Sequence, residues 1–355
     1  MLSYDVVEHG KPLQRAVRET PRPKGAEVLV RVTRSGVCHS DLHIWDGYFD
    51  WGGGKRFYVK DRGCVPPFTL GHEPYGVVEA LGPDANGVAV GAKRIVYPWI
   101  GCGECAVCKA GQDNYCLQPR FIGVMRPGAY SSHLIVPDAK YLVDATGIDE
   151  SFAATLACSG ITTYSAIRKL PALTERDWVV VLGCGGLGMI ALSTLRALGI
   201  ERVIACDVDD GKLAAARAAG ARATVNSRDA QTAVGEIQKL ADGAVAGALD
   251  FVGMPATAGL GIAALSKGGR YVLCGLFGGE LTHPLPPIAQ RAIGIVGSYV
   301  GNLQELREVV ALAQSGKLKA TPVETRPIRE VNRSLDELKA GKVLGRVVLD
   351  VNETA

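Results

Sequence analysis

Two different spacings of apolar residues divide the chain close to residue 152. Before that point, short runs such as 27–32 and 75–80 alternate apolar with polar positions and are bounded by Gly and Pro. A period of two puts alternate side chains on opposite faces of a strand, so this part predicts a twisted, barrel-like antiparallel β-domain. After that point, continuous apolar runs alternate with helical segments, which predicts a doubly wound parallel sheet and an overall α/β class.

The second part predicts a regular series of elements. In chain order they are a helix at 153–169, a strand at 178–182, a helix at 186–198, a strand at 202–207, a helix at 212–219, a strand at 248–252, a helix at 256–265 and a strand at 269–274. A further helix is predicted at 303–316, and 343–351 return to a β pattern that is expected to rejoin the first domain. The predicted domains are therefore 1–152, 153–297 and a returning segment at 298–355.

Composition excludes several classes of protein. The 355 residues are 47% apolar and 21% charged with a net charge of +3, and no Lys/Arg cluster indicates a nucleic-acid surface. No apolar run reaches the length of a membrane span, and the N-terminus lacks the pattern of a signal peptide. Ten cysteines could form disulfides, but their spacing is typical of metal sites. We therefore expect a cytoplasmic protein with no membrane or nucleic-acid partner.

Four cysteines lie in one short loop with the spacing CxxCxxCx7C. They are Cys102, Cys105, Cys108 and Cys116. Thiolates at such spacing can turn toward one tetrahedral ion, and Gly101, Gly103 and Gly111 let the backbone bend around it. Four sulfur ligands leave no open coordination position, so the loop predicts a structural zinc site rather than a catalytic one.

A glycine-rich fingerprint follows the predicted strand at 178–182. The residues concerned are Gly183, Gly185, Gly186, Leu187 and Gly188. The first glycine permits a tight turn, the second lets the backbone approach a pyrophosphate, and the last allows close packing of helix on strand. The helix that starts here would direct its N–H groups at the phosphates. Because a strand precedes the fingerprint and a helix follows it, the pattern predicts a dinucleotide site.

Asp207 ends the next strand, about 20 residues after the fingerprint, where such proteins place an acidic residue on the ribose. A carboxylate at that position repels a 2′-phosphate, so the sequence favours NAD over NADP. Lys212 is a candidate for a second contact with the same ribose, although a solvated lysine at a helix start is nearly as good an interpretation.

Three other residues offer ligands for a second metal ion. Cys38, His72 and Cys158 lie in distant segments, and two thiolates with one imidazole would leave one coordination position open, as in catalytic zinc sites. Each cysteine taken alone could instead be a small buried hydrophobe. Their proximity is not visible in the sequence.

Over nearly its whole length the chain resembles the zinc-dependent medium-chain alcohol dehydrogenases. The resemblance rests on the segments 36–41 (GVCHSD), 71–73 (GHE), the four-cysteine loop, the fingerprint and 345–348 (GRVV). It implies a GroES-like catalytic domain followed by a Rossmann domain. It also implies that Cys38, His72 and Cys158 bind a catalytic zinc, with Glu73 beside it, so that each chain holds two zinc ions and NAD.

The resemblance also implies a path for a proton. Ser40 matches the hydroxyl that contacts the alcohol oxygen, and His43 matches the imidazole that passes the proton to solvent. Asp41 would orient His72 from behind. Zinc would lower the pKa of the alcohol, and the hydride would pass to NAD.

Three further residues are implied to contact the cofactor. Thr162 lies in the stretch that contacts the nicotinamide, and Arg346 matches a pyrophosphate contact. His39 stands where several relatives carry an arginine that contacts the cofactor phosphate, so binding or release of the cofactor is expected to differ.

The segment between Cys38 and His72 is longer than in most relatives. The additional residues are 46–55, which are aromatic and rich in glycine, and the basic stretch that follows them. One hypothesis is that they form part of the substrate-cleft wall. The alternative is a surface loop or a subunit contact, since loops accept insertions readily.

The expected function is interconversion of an alcohol and its aldehyde or ketone with NAD. A polyol or aryl-alcohol dehydrogenase of the same family is an alternative, and a non-catalytic NAD-binding redox sensor is another. A quinone-reductase-like relative without zinc is disfavoured because both ligand sets are present. Relatives of bacterial type suggest a homo-oligomer, a tetramer or else a dimer, with 293–298 as a possible interface strand.

Overall fold

The computed structural model describes residues 1–352 and divides the chain into two compact units. The first contains Met1–Tyr48, Tyr58–Ile161 and Gly301–Ala355 as far as it is described, and the second contains Phe49–Phe57 and Thr162–Val300. The boundaries predicted at 152/153 and 297/298 differ from these by several residues. Local patterns mark where helices and strands begin, whereas the packing of those elements decides to which unit they belong.

Residues 1–352 contain 18 strands and 11 α-helices. The strands are β1 (Leu2–Val6), β2 (Gln14–Val17), β3 (Val28–Val37), β4 (Tyr48–Asp50), β5 (Arg56–Tyr58), β6 (Phe68–Thr69), β7 (Pro74–Leu81), β8 (Lys93–Val96), β9 (His133–Val136), β10 (Leu142–Asp144), β11 (Trp178–Leu182), β12 (Val203–Asp207), β13 (Ala223–Asn226), β14 (Val245–Asp250), β15 (Arg270–Leu273), β16 (Gly294–Gly297), β17 (Val323–Pro327) and β18 (Arg346–Asp350).

The α-helices are α1 (His39–Asp46), α2 (Ala106–Lys109), α3 (Glu150–Thr155), α4 (Ile161–Ile167), α5 (Gly186–Ala197), α6 (Asp210–Ala218), α7 (Ala230–Leu240), α8 (Pro255–Ala264), α9 (Leu285–Gln290), α10 (Leu303–Gln314) and α11 (Val331–Lys339). A π-helical turn, Leu156–Gly160, joins α3 to α4 and interrupts the helix predicted at 153–169. Among residues 1–352, no helix combines the length and the apolar character needed to cross a bilayer.

The first unit is built around β3, a strand of ten residues that is buried along most of its length. A seven-stranded sheet runs in the order β10-β8-β7-β3-β18-β17, with β9 also paired to β3. A three-stranded sheet, β2-β1-β6, accompanies it. Because β18 pairs with β3, the C-terminal segment is part of this unit.

The second unit contains a parallel six-stranded sheet in the order β13-β12-β11-β14-β15-β16. Numbered within the unit, this is the order 3-2-1-4-5-6 of a dinucleotide-binding fold, whose strand order reverses beside the first strand. Apolar side chains from the sheet form a core on each of its faces. The predicted strand at 178–182 is β11, and the predicted helix at 186–198 is α5. β13, α7 and α1 were not predicted from the sequence, because they are short or only partly buried elements.

Candidate functional site

Strand register brings residues that are distant in the sequence to one point of the first unit. β3 runs antiparallel to both β7 and β18, and Ser35 lies opposite Pro74. The end of β3, which leads into Cys38, therefore lies beside the start of β7, which follows His72. The start of β18, which is Arg346, lies at the same point. Antiparallel pairing of three strands thus creates the site.

Four side chains in this region offer ligand atoms that all lie within 4.8 Å of one another. They are Cys38, His72, Glu73 and Cys158, and all four are buried. The Sγ atoms of Cys38 and Cys158 are 3.9 Å apart. Two sulfurs bound to one tetrahedral zinc at about 2.3 Å are about 3.8 Å apart. The structure therefore brings together the three ligands named from the sequence, at a spacing that fits zinc.

The two nitrogens of His72 have different surroundings. Nδ1 lies 2.9 Å from Oδ1 of Asp41, whereas Nε2 is buried and has no hydrogen-bond partner. A buried polar atom is rarely left in that condition unless something else satisfies it. With Nδ1–H donating to Asp41, the lone pair of Nε2 is available to a metal ion. Asp41 thus occupies the position that the sequence analysis assigned to it.

The Asp41 carboxylate is itself held by two further donors. Its Oδ2 accepts from the backbone N–H of Cys38 at 3.0 Å and from the hydroxyl of Tyr130 at 2.8 Å. All of these groups are buried, so water does not compete for the bonds. Sequence reasoning missed Tyr130, because no motif marks it and only the tertiary structure places it behind Asp41.

Trp99 is a second residue that sequence reasoning missed. Its indole N–H donates to the carbonyl of Ala157 at 3.0 Å, next to Cys158 in the π-helical turn. The centroids of the Trp99 and His72 rings are 5.4 Å apart. Trp99 therefore packs against one ligand and fixes the turn that carries another.

Glu73 is paired with Arg346 rather than exposed to solvent. Nη2 of Arg346 donates to both carboxylate oxygens at 2.5 Å, and both side chains are buried. Burial raises the pKa of Glu73 to about 7 even though the charge of Arg346 works in the opposite direction. Gly36 makes room for this pair, since a Cβ atom there would lie 1.9 Å from Oε2 of Glu73. The pyrophosphate contact expected of Arg346 stays a prediction.

The two thiols of the site differ in acidity. A hydrogen bond from Cys158 is the main reason that the pKa of Cys38 lies well below its usual value. The same bond, together with burial, raises the pKa of Cys158 well above its usual value. One thiolate therefore forms readily, and the second forms when a cation is present to stabilise both charges.

Helix α1 separates two sets of side chains that adjoin the site. Its period puts Asp41 on the buried side, while His39, Ser40 and His43 lie together on the half-buried side. Residues three or four apart are neighbours on a helix, and the rings of His39 and His43 have centroids 6.1 Å apart. Burial, with the charge of His39, lowers the pKa of His43, so its imidazole is neutral near pH 7.

The four loop cysteines also lie together. Their Sγ atoms are all within 4.8 Å of one another; those of Cys105 and Cys108 are 3.5 Å apart, and those of Cys105 and Cys116 are 3.9 Å apart. These values match the sulfur spacing of about 3.8 Å in a tetrahedral zinc site. Backbone N–H groups donate to the sulfurs, among them that of Gln118 to Cys116 at 3.3 Å. The loop fits the closed metal site expected from its spacing.

In the second unit the fingerprint glycines shape the turn between β11 and α5. Gly183 has a φ of +88°, which favours glycine. A Cβ atom on Gly188 would lie 1.9 Å from the carbonyl oxygen of Gly183, so only glycine lets α5 pack this closely. A Cβ atom on Gly185, the N-cap of α5, would have nothing within 4 Å. The backbone at Gly185 is therefore open to an approaching phosphate.

Asp207 lies against this loop. Its Oδ2 accepts from the backbone N–H of Cys184 at 2.7 Å, which fixes the carboxylate at the end of β12. Lys212 lies in the first turn of α6, half-buried, with its backbone N–H bonded to Asp209. Thr162 lies in α4, and its Oγ1 is buried with no hydrogen-bond partner. Ribose and nicotinamide contacts for Lys212 and Thr162 stay predictions.

The first part of the chain and the second part match different protein families. Residues 24–146 match the family described as alcohol dehydrogenase GroES-like domain, and residues 186–315 match the family described as zinc-binding dehydrogenase. An NAD-dependent alcohol dehydrogenase from Sulfurisphaera tokodaii is 37% identical over 350 residues, which cover 98% of this chain and 99% of that protein.

Solved structures give the same result. The alcohol dehydrogenase of the hyperthermophilic archaeon Aeropyrum pernix matches with a TM-score of 0.89 and 33% identity, covering 99% of this chain and 100% of that chain. A cobalt- and zinc-bound thermostable alcohol dehydrogenase from Pyrobaculum aerophilum matches with a TM-score of 0.84 and 28% identity, covering 99% of each chain.

These comparisons confirm the α/β class with a GroES-like and a Rossmann domain, and they confirm NAD and zinc as the cofactors. They also confirm that the chain is an enzyme, an NAD-linked oxidoreductase that acts on a small-molecule alcohol. The chain belongs to the zinc-dependent alcohol dehydrogenases of the medium-chain dehydrogenase/reductase superfamily.

Proposed function

We propose that Cys38, His72 and Cys158 hold the zinc ion at which the alcohol reacts. The observation that carries this proposal is the buried Nε2 of His72, which lacks a partner and lies among the ligand atoms of the two cysteines. Zinc at this position supplies a Lewis acid that makes a bound alcohol acidic near neutral pH. Glu73 and its partner Arg346 lie beside the ligands, where the positive charge of Arg346 favours the thiolate forms of both cysteines.

The proton of the alcohol leaves along α1 in this proposal. Ser40 and His43 are three residues apart on the half-buried side of the helix, a spacing that suits a proton relay, and the nicotinamide ribose is proposed as its connecting group. The lowered pKa of His43 keeps its imidazole neutral near pH 7, and only the neutral form accepts a proton. His39 adjoins this imidazole and contributes to the lowered pKa.

The four loop cysteines hold a second, structural zinc in this proposal, so that each chain carries two ions. The support is their closed set of four sulfurs, which leaves no position for a substrate. In the second unit, Gly183–Gly188 hold the pyrophosphate and Asp207 holds the adenosine ribose.

Three variants test the assignment of ligands. Cys38→Ser and His72→Ala should abolish oxidation of an alcohol by NAD, while titration of NADH fluorescence shows binding close to that of the parent enzyme. Cys64→Ser is the matched control, because Cys64 is buried in the same unit and donates to the carbonyl of Val124, outside both ligand sets. Turnover that persists in Cys38→Ser or His72→Ala contradicts the assignment.

Metal analysis and a substrate screen separate the remaining alternatives. Two zinc ions per chain and chelator-sensitive reduction of NAD support the enzyme, whereas zinc at the structural loop alone supports a redox sensor. Primary, secondary, aromatic and polyol substrates in the same screen decide between an alcohol, a polyol and an aryl-alcohol dehydrogenase. We propose a general alcohol and its aldehyde or ketone as the substrate class.

We propose a homo-oligomer in which the second unit pairs with a second copy at the edge strand β16 of its parallel sheet. β16 is the last strand in the order of the parallel sheet, and Ile295 on it is 42% exposed. An edge strand with exposed apolar residues is a natural place for pairing with a second copy. We propose a tetramer that contains this pairing. Light scattering should show Ile295→Lys as a smaller species than the parent, and an unchanged mass contradicts the proposal.

The compartment proposed is the cytoplasm. All ten cysteines are free, and two thiol-based metal sites require reduced sulfur, which a reducing compartment maintains. Fractionation of cells with an antibody against the enzyme tests this, and recovery outside the cytoplasmic fraction contradicts it.

A further inference from the structure

The inserted segment of the first domain belongs by its packing to the cofactor-binding unit. Residues Phe49–Phe57 cluster with the parallel sheet, although they lie in the sequence between Cys38 and His72. They form the body of a two-stranded hairpin of β4 and β5, which we call the inserted hairpin. Neither the zinc sites nor the dinucleotide fingerprint gives this hairpin a role.

The inserted hairpin is seated on the loop that follows β15. A Cβ atom on Gly52 would lie 2.6 Å from Cγ of Glu280 and 2.8 Å from the carbonyl oxygen of Gly279. From the other side, a Cβ atom on Gly278 would lie 2.5 Å from Cβ of Asp50. Glycines on both partners therefore allow a contact between backbones that larger residues would prevent.

Local contacts hold the two strands and the turn of the hairpin together. Oδ1 of Asp50 accepts from the backbone N–H of Gly52 at 2.9 Å. Trp51 and Lys55 are joined across the turn by a backbone bond of 3.0 Å. The rings of Trp51 and Phe57 pack with their centroids 5.1 Å apart.

The loop that it supports runs along the edge of the sheet where dinucleotides bind. In open parallel sheets the ligand lies outside the carboxyl ends of the strands, with one nucleotide on each half of the sheet. The loop continues the carboxyl end of β15, in the half opposite to the fingerprint and Asp207. Two backbone hydrogen bonds of 3.2 Å attach it to the segment after β14. The N–H of Phe277 donates to the carbonyl of Val252, and that of Gly278 to the carbonyl of Gly253. It therefore lies on the half of the sheet that receives the nicotinamide nucleotide.

We propose that the inserted hairpin is a positioning element for NAD, because it holds the loop at 274–284 in the conformation that binds the nicotinamide half. This inference rests on the proposed NAD site. A loop that is ordered before binding does not lose entropy when the cofactor arrives. If the loop is competent in only a tenth of the molecules, the apparent Kd rises about tenfold.

A pair of alanine variants isolates the contact from backbone strain. Gly52 and Gly54 have φ values of +79° and +73°, so alanine is strained to a similar degree at each. A Cβ atom on Gly54 has nothing within 4 Å, whereas one on Gly52 meets Gly279 and Glu280. Gly52→Ala therefore disturbs the contact between the hairpin and the loop at 274–284. Gly54→Ala is its matched control. Glu280→Ala is a milder variant that removes contact atoms without adding a clash.

The measurements are NADH fluorescence titration and hydrogen exchange on the zinc-loaded enzyme. For Gly52→Ala we expect a Kd for NADH about tenfold higher, faster exchange at 274–284, and a higher KM for NAD with kcat at saturation within about twofold. Glu280→Ala should shift the same quantities less, and Gly54→Ala should match the parent. If Gly52→Ala does not fold, Glu280→Ala carries the test.

Three outcomes overturn the inference. Equal Kd values for NADH in Gly52→Ala and Gly54→Ala show that the contact between the hairpin and the loop does not affect cofactor binding. Faster exchange at 274–284 with unchanged NADH affinity shows that the loop is supported but is not used for binding. A changed substrate profile with unchanged NADH affinity favours the hypothesis of a cleft wall instead. Failure of the parent enzyme itself to bind NADH would refute the proposed cofactor site, which is a separate result.

Discussion

Tyr130→Phe is the substitution that best tests how the proposed zinc ligands Cys38 and His72 are supported. It removes a single hydroxyl, which donates to Oδ2 of Asp41 at 2.8 Å, and leaves the ring in place. Tyr130 and Asp41 are both fully buried, so water cannot replace the lost donor. Asp41 then keeps its bonds to Cys38 and His72 but loses one of the groups that fix its orientation.

The expected magnitudes follow from that geometry. A buried hydrogen bond to a charged group contributes about 1.5–3 kcal/mol, so the free energy of unfolding should fall by about that amount. Loss of a group that orients a metal ligand typically weakens metal binding by 10- to 100-fold. Because two bonds to Asp41 remain, we expect the lower end, about tenfold or 1.4 kcal/mol in zinc affinity at the proposed catalytic site.

Tyr271→Phe is the matched control. Its hydroxyl donates to Oδ2 of Asp250 at 2.7 Å, both residues are fully buried, and neither belongs to a ligand set. Both variants should lose similar stability in a denaturant titration. Competition with a chromophoric zinc chelator should show weaker binding of one ion in Tyr130→Phe alone. Equal zinc affinity in the two variants, or tighter binding in Tyr130→Phe, refutes the reasoning that Tyr130 acts through Asp41.

The remaining predictions concern the structural loop, the ribose contact and a titrating imidazole. Cys108→Ser should lose one zinc ion per chain by elemental analysis and lower Tm by roughly 2–4 °C per kcal/mol lost, whereas retention of both ions contradicts a structural site. Asp207→Asn keeps an oxygen acceptor for Cys184 but removes a negative charge. The value of kcat/KM for NADP, divided by that for NAD, should therefore rise at least about tenfold. An unchanged ratio would show that Asp207 does not select the cofactor. Because the folded pKa of His43 lies below 6.5, protonation favours the unfolded chain, and stability falls as the pH drops below 6.5. His43→Gln should therefore lose less Tm than the parent between about pH 6.5 and 5.5, and parallel losses would show that His43 does not titrate this way.

Local sequence patterns predicted the elements that local forces decide. The strand at 178–182, the glycine turn after it and α5 follow one another within a short stretch, so spacing alone indicated the dinucleotide loop. The helix at 153–169 was predicted without its π-helical turn, because the turn arises where Cys158 is drawn toward Cys38 and Trp99 binds Ala157. Local propensity contains no information on such contacts.

The residues of the candidate site could be predicted from the sequence only in part. The resemblance supplied Cys38, His72 and Cys158, but their spacing in the sequence gave no evidence that they meet. Tyr130 and Trp99 were missed altogether, because each acts through a contact with a residue far away in the chain. Arg346 was expected on the cofactor, and the structure shows its guanidinium on Glu73.

The sequence by itself determined the four-cysteine metal loop, the dinucleotide turn and the alternation of strands and helices. In each of these the interacting groups are close in the chain, so their spacing limits their geometry. Only the tertiary structure decided that β3, β7 and β18 bring their ends together at one buried site, and that the inserted hairpin packs with the second unit. Both depend on strand register and packing between distant segments, which a local pattern of residues does not specify.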